Sequence, residues 1–221
     1  SESRMNHFNM EAKTPISLLE KYREGLIVGS GLDEGMLTKY LLAKRSEKDI
    51  NRARDLFDFY QIAPLSIYDR QLDLGDIRNY DQIKDLNKKI IQYGRVDNKL
   101  VVASGAVRYI NPGDYILRNI LHKGGFFSYH EKSPIYYLRT TKQMQEGFSY
   151  LDSNTVYDIV IRNPKKIAEM IEDIRPIPEG TFPPKIEGSD RELRNTCFEK
   201  AHSIYGNPLP KLVEDLSLIH I

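Results

Sequence analysis

The loop Ala103-Ser-Gly-Ala-Val-Arg-Tyr-Ile-Asn-Pro-Gly-Asp114 follows the apolar run Leu100-Val-Val102. A polar loop directly after a buried strand is where α/β proteins assemble catalytic and ligand groups. Here that position is taken by Ala106 and Arg108, and neither is a nucleophile, a general base or a metal ligand. A guanidinium stays protonated and offers no lone pair. The other reactive types are dispersed. His7, His122, His130, His202 and His220 form no i, i+4 pair, and Cys197 has no partner at a zinc-type spacing, so a metal site made wholly by this chain is not expected. His202 reads as a surface or packing residue. Gly29-Ser-Gly31 precedes a helix but lacks the remaining glycines and the lysine of the nucleotide motifs, and Gly124-Gly125 reads as a flexible turn. Asp33, Glu34, Asp73 and Asp76 can reach strand ends, although acidic residues in a first helical turn also answer the helix dipole, the reading favoured for Asp33 and Glu34. Tyr22-Arg23 and the lysines of 85–89 and 163–166 can meet phosphate, but basic residues on amphipathic helices are more often a solvated face.

The elements that must position these residues follow from periodicity. Gly25-Leu-Ile-Val-Gly-Ser30 reads as a buried strand, and 33–44 as a helix with Leu37, Tyr40 and Leu41 on one face. Ser46 caps a helix over 47–57, because its hydroxyl can accept from a free first-turn amide. A second strand spans 59–63, stopped by Pro64. Ile83, Leu86, Ile90 and Tyr93 recur at helical spacing, followed by a turn at Gly94 and a third strand at 100–103. This β-α-β-α-β rhythm predicts parallel strands whose polar sites gather beyond their C-termini. Asn111-Pro112 starts a helix through Leu121. Pro134 to Leu138 suggests a further strand, and Thr140 with Gln143 a capping box. Asn163-Pro164 opens a helix with the stripe Ile167, Met170, Ile171 and Ile174. The proline-rich stretch 176–185 reads as an extended connector, and Ser189 with Glu192 caps a helix that Gly206-Asn-Pro208 ends.

Totals set the outer bounds. The 221 residues are 40% hydrophobic, enough for a folded α/β core. Lys plus Arg number 32 against 31 Asp plus Glu, and a net charge of +1 supplies no general field for nucleic acid or membrane. A single cysteine rules out an intramolecular disulfide framework and fits a reducing compartment, so a cytoplasmic location is expected. No apolar run approaches the roughly 20 residues of a membrane span. The chain starts at Ser1 rather than Met and is expected to be a piece of a longer polypeptide.

Several stretches together resemble one family, the alpha subunit of bacterial replicative DNA polymerase III of the PolC type. They are Leu18-Leu-Glu-Lys-Tyr-Arg-Glu-Gly-Leu-Ile-Val-Gly-Ser30, Val101-Val-Ala-Ser-Gly105 with Tyr109-Ile-Asn-Pro112, Leu138-Arg-Thr-Thr141 with Glu146-Gly-Phe-Ser149, Asn163-Pro-Lys-Lys-Ile-Ala168, Pro184-Lys-Ile-Glu-Gly-Ser-Asp190, and Ile204-Tyr-Gly-Asn-Pro-Leu-Pro210. The resemblance implies a PHP (polymerase and histidinol phosphatase) domain, a distorted (βα)7 barrel with parallel strands, into which a proofreading exonuclease is inserted. On that basis residues 1–17 are the exit from the exonuclease, 18–175 the part of PHP after the insertion, 176–188 an extended linker, and 189–216 a mainly helical first segment of the polymerase palm. Residues 217–221 form a tail with no assigned role, and residues 1–13 are expected to lack order without the insertion.

The departures from the family pattern bear on the opening loop. Where the family reads Gly-Ser-Ala-Cys followed by Gly-Glu, this chain has Gly29-Ser-Gly-Leu32 and Gly35-Met36. Gly-Asn-Val-His-Tyr becomes Gly105-Ala-Val-Arg-Tyr109, and a family Glu becomes Gln61. Leu32, Met36, Gln61, Ala106 and Arg108 therefore stand at degenerate metal-site positions, with no catalytic residue and no metal expected. Beside a divalent cation Arg108 would meet repulsion on the order of several kcal/mol. It is expected instead to fill the former metal volume and pair with a carboxylate, or else to face solvent. The resemblance implies a non-catalytic scaffold within a DNA-directed DNA polymerase, a nucleotidyltransferase of DNA replication that uses Mg2+ outside this segment. The implied partners are the exonuclease and palm of the same chain, DNA through that chain, and replisome subunits such as the sliding clamp. A metal-dependent PHP phosphoesterase or proofreading nuclease, and a stand-alone interaction or DNA-binding module, are the alternatives.

Overall fold

The structure is a computed structural model and describes residues 2–9, 11–125, 131–175, 177, 179–181 and 183–220. Two compact units divide the chain, 1–172 and 173–221. In the first, helix α1 (Glu2–Asn6) leads into a small antiparallel pair, β1 (Phe8–Asn9) and β2 (Glu11–Ala12), so most of the described residues of 1–13 carry regular structure where the sequence predicts a lack of order. Helix α2 (Ile16–Lys21) follows. Helix α3 (Met36–Leu42) starts after Gly35 and buries Leu37 and Thr38; α4 (Glu47–Asp55) buries Ile50 and Ala53. As the sequence predicts, Ser46 Oγ accepts from the Asp49 amide at 3.2 Å, satisfying one first-turn donor.

The centre of the unit is a parallel pair, β3 (Phe59–Ile62) and β4 (Leu100–Ala103), in register from Phe59–Leu100 to Ile62–Ala103. Between them run α5 (Asp69–Leu74) and the long crossover helix α6 (Tyr80–Val96), which packs on both strands. The core holds Leu37, Tyr60, Ile62, Ile67, Tyr68, Ile83, Ile90 and Phe148, all at most 1% exposed. The polar Asn87 is fully enclosed with them, and its Nδ2 donates to the Ala63 carbonyl at 3.2 Å and to the Tyr150 hydroxyl at 2.7 Å. At the base of the strands Asp97 accepts from Arg54 and from the Tyr60 hydroxyl, while Lys99 Nζ donates to the Arg54 carbonyl at 2.7 Å.

The protein is α/β, but two expected strands are not formed. Residues 25–30 form one parallel bridge to β3, Gly29–Phe59, with backbone bonds from the Ser30 amide to the Phe59 carbonyl at 3.2 Å and from the Asp58 amide to the Val28 carbonyl at 2.8 Å. The Asp58 carboxylate takes the Val28 amide at 2.6 Å and pairs with Arg23, and Ser30 Oγ accepts from the Gln61 amide at 2.9 Å. Beyond those two backbone bonds side chains take over from the ladder, and Gly25 and Gly31, both at φ +73°, bend the segment away from extension. Residues 134–138 likewise make one bridge, Tyr109–Tyr137. Gly94 is not a turn; it lies buried within α6, where β4 passes too close for a side chain.

After β4 the chain forms a short 3-10 turn at Pro112–Asp114 and then α7 (Tyr115–Gly124). Thr140 and Gln143 cap α8 (Thr141–Glu146) reciprocally, at 2.9 and 3.3 Å, as predicted. Helix α9 (Ser153–Tyr157) passes through a π turn (Asp158–Arg162) into α10 (Asn163–Glu169), so Asn163-Pro164 continues a helix rather than opening one. Asn163 Nδ2 donates to the Val101 carbonyl of β4 at 2.8 Å. Helix α10 stops before most of the expected stripe, leaving Met170, Ile171 and Ile174 exposed. The second unit contains α11 (Ser189–Tyr205) and α12 (Lys211–His220). Gly188, in the left-handed conformation, precedes α11 in the cap position expected of Ser189, and α12 was not foreseen. The described residues of 176–185 carry no regular structure. No helix is long and apolar enough to cross a membrane among the described residues.

Candidate functional site

Beyond the C-terminal ends of β3 and β4, the Ser104 amide donates to the Ile62 carbonyl at 2.9 Å, extending the ladder one step into the loop. The backbone then turns sharply. Ala106 sits at φ +49°, a conformation that costs a non-glycine residue roughly 1 kcal/mol, and its methyl packs against the core. Gly105 is buried, and a Cβ there would stand 3.2 Å from Met144 Cε and 3.8 Å from Arg139 Nη1. The Arg108 amide donates to the Tyr136 carbonyl at 2.7 Å, and the Leu138 amide to the Tyr109 carbonyl at 3.0 Å.

The five predicted positions fall into three roles. Leu32, Met36 and Ala106 are half-buried and packed against the hydrophobic core. Gln61 holds the neighbouring loop: its Oε1 accepts from the Gly31 amide at 3.0 Å, while its own amide is held by Ser30. Arg108 is exposed, and among the described residues no carboxylate lies within ion-pair distance of it. The expected pairing of this loop's arginine with a surviving carboxylate is therefore not made. A di- or trinuclear metal centre needs carboxylate, imidazole or thiolate donors. These positions offer one amide oxygen, already committed to backbone, so they do not fit such a centre. No group of three or more His, Cys, Asp and Glu is arranged for a metal among the described residues.

An arginine–carboxylate pair is instead made ten residues after Arg108. Arg118 of α7 pairs with Glu131, whose side chain is wholly buried, and its guanidinium lies 5.1 Å over the Tyr136 ring. The Tyr109 hydroxyl donates to Glu131 Oε2 at 2.6 Å and accepts from the Ile135 and Tyr136 amides at 3.1 and 3.2 Å. Burial, and then the hydrogen bond to Glu131, pushes the Tyr109 phenol up to about 12. Asn119 completes the cluster by exchanging hydrogen bonds with the Glu131 backbone, at 2.8 and 2.9 Å. Tyr109 and Glu131 thus pin the 131–136 segment beneath the loop. Nothing in local sequence marks Glu131 as buried; only the polar pair Arg118-Asn119, set between Ile116-Leu117 and Ile120-Leu121, hints that one face of α7 meets a charge.

The remaining candidates serve structure. Asp33 accepts from Gln71 Nε2 at 2.9 Å, Glu34 pairs with Lys39 at 2.6 Å, and both line a hollow of about 490 Å3 with Asp76. Asp73 pairs with Lys132 at 2.6 Å. Burial works against the Asp58 charge, but Arg23 and the Val28 amide hold its carboxyl below the usual carboxylate range, so Arg23 is already engaged. His202 Nδ1 lies 3.1 Å from the Gly206 carbonyl at the end of α11. At the expected turn Gly124-Gly125, Gly124 is the last residue of α7 and Gly125 its C-cap, whereas residues 126–130, His130 among them, lie outside the described residues.

Fold and site together define an α/β segment in which the residues beyond the ends of β3 and β4 serve packing and loop structure. No family model matches the chain. Curated relatives do. It is 41% identical over 215 residues to the PolC-type DNA polymerase III of Caldanaerobacter subterraneus subsp. tengcongensis, 37% over 218 to that of Bacillus subtilis, and 35% over 214 to that of Clostridium perfringens. Each match takes in 97% of this chain, and the chain spans 15% of each relative's length. The chain belongs to the PolC-type DNA polymerase III family, as a segment.

Proposed function

We propose that this chain is the part of a PolC-type polymerase that follows the exonuclease insertion in the PHP domain and runs into the first segment of the palm, and that it acts as a non-catalytic scaffold. The parent polypeptide is then a DNA-directed DNA polymerase of chromosomal replication that contacts DNA and the sliding clamp through other regions and uses Mg2+ outside this segment. The reading places the protein in the cytoplasm. The observation that carries the scaffold role is the fate of the five positions: Leu32, Met36 and Ala106 are core contacts, Gln61 is a loop clasp, and Arg108 faces solvent. A side chain committed to packing cannot also coordinate an ion that activates water. A barrel completed by residues outside this chain accounts for parallel strands of which only β3 and β4 are described. Parallel sheets are otherwise covered on both faces.

The test is metal analysis of the purified chain after equilibration with zinc or manganese, paired with a phosphodiester hydrolysis assay. The expected result is far less than one ion per chain and no manganese-dependent hydrolysis. One ion per chain, lost in Gln61→Ala, would overturn the scaffold role in favour of a metal-dependent phosphoesterase.

A further inference from the structure

Helix α7 meets the body of its unit with its polar side. Arg118 and Asn119 reach the buried Glu131, as described above, and no residue of α7 is itself buried. Its large apolar residues face outward instead: Ile116, Leu117, Ile120 and Leu121 are 54%, 61%, 63% and 75% exposed. An amphipathic helix at a protein surface normally does the reverse, burying the apolar stripe and solvating the polar one. Orienting it this way withdraws the Glu131 carboxylate from water, which is costly unless its partners are fully in place. The polar anchor therefore fixes which way the apolar side points.

At its flank, Ile116 and Ile120 border a groove of about 500 Å3 that runs between α7 and the charged Glu131 and Lys132. Ile116 with Ile120, and Leu117 with Leu121, form two ridges at i, i+4 spacing, the geometry into which the ridges of a second helix fit. Exposed apolar surface of this kind is unusual on a free-standing soluble protein and marks a contact.

We propose that the outward face of α7 is the docking surface for an apolar helix from another part of the same polymerase polypeptide. The inference rests on the reading that this chain is a piece of such a polypeptide. The relatives favour that occupant, since the chain amounts to 15% of their length and most of each lies outside the matched segment. The ridge spacing favours a helix over an added strand, because α7 offers no unpaired backbone edge.

Peptide-resolved maleimide labelling of the full-length polymerase tests the proposal, with Leu117→Cys as the probe and Lys142→Cys, on the exposed side of α8, as the solvent reference. Leu117→Cys is expected to react about tenfold or more slowly than Lys142→Cys in the full-length protein, as covered positions do, and at a similar rate in the 221-residue chain alone. Equal rates in a full-length protein that extends primers would overturn the docking surface while leaving the family reading intact. A full-length protein without primer extension would remove the reading on which the proposal rests. Protection in the isolated chain that grows with concentration, with a dimer by light scattering, would assign the face to a second copy and overturn the proposal.

Discussion

Replacing Gly94 by alanine sets local preference directly against packing. Gly94 lies inside α6, where exchanging glycine for alanine is worth about 1 kcal/mol to a helix. An ideal Cβ at this position would stand 2.3 Å from Val101 Cγ2 and 3.0 Å from the Lys99 carbonyl oxygen. Neither neighbour yields easily. Val101 is β-branched and stiff at χ1 within β4, and the Lys99 amide is tied to the Gly94 carbonyl at 2.9 Å. Forcing a methyl group into such a contact costs about 3 kcal/mol, at the upper end for overpacking because backbone is involved. The net expectation is a loss of about 2 kcal/mol, a fall in Tm of roughly 5 °C for a unit of this size. Thermal melts followed by circular dichroism read it. The clash has a named partner, so Val101→Ala should relieve it, and the double variant should show a coupling of about 1 kcal/mol or more. A rise in Tm for Gly94→Ala, or additive effects with Val101→Ala, would refute the claim that helix and strand touch here.

Asp97→Asn removes the charge shared by Arg54 and Tyr60, whose side-chain partners are largely shielded from water, and is expected to cost about 3 kcal/mol in urea unfolding. The hydrogen bond from Arg54, then that from Tyr60, holds the Asp97 carboxyl below its usual range despite burial. With its folded-state pKa depressed, its contribution is complete above the unfolded value of about 4 and disappears as pH falls through the lower folded value, so the stability curves of parent and variant should converge in acid. Tyr109→Phe leaves the Ile135 and Tyr136 amides and Glu131 without their shared hydroxyl, which should cost about 2 kcal/mol or more and speed hydrogen exchange at those amides first. Unchanged exchange there would separate the 131–136 segment from the loop.

Features governed by neighbours in sequence were readable from it. Ser46, and Thr140 with Gln143, announce helix starts because capping is a contact over three residues, and α6 announces itself because its stripe repeats at the helical period. What failed was non-local. Gly94 resembles a turn until β4 is laid against it, and 25–30 resembles a strand until the Asp58 side chain takes the Val28 amide and the Ser30 side chain takes the Gln61 amide of β3. The stripe of 167–174 has helical spacing, yet α10 ends at Glu169 and leaves most of it in solvent. At the site, sequence named the positions lacking donors but could not say which arginine of the region would meet a carboxylate. That choice belongs to Arg118, because Glu131 comes to lie beneath α7 rather than beside Arg108.

The enclosed Asn87 carries a consequence for the order in which the protein is made. Its amide waits for the Tyr150 hydroxyl, 63 residues further along the chain. Until that residue leaves the ribosome, Asn87 Nδ2 has the Ala63 carbonyl but not its second acceptor, while Oδ1 has no hydrogen-bond partner among the described residues even in the complete unit. The hydrogen bonding of this enclosed amide is thereby completed as far as it goes only by a residue near the far end of the first unit, which ties the centre of the unit to a late part of the chain.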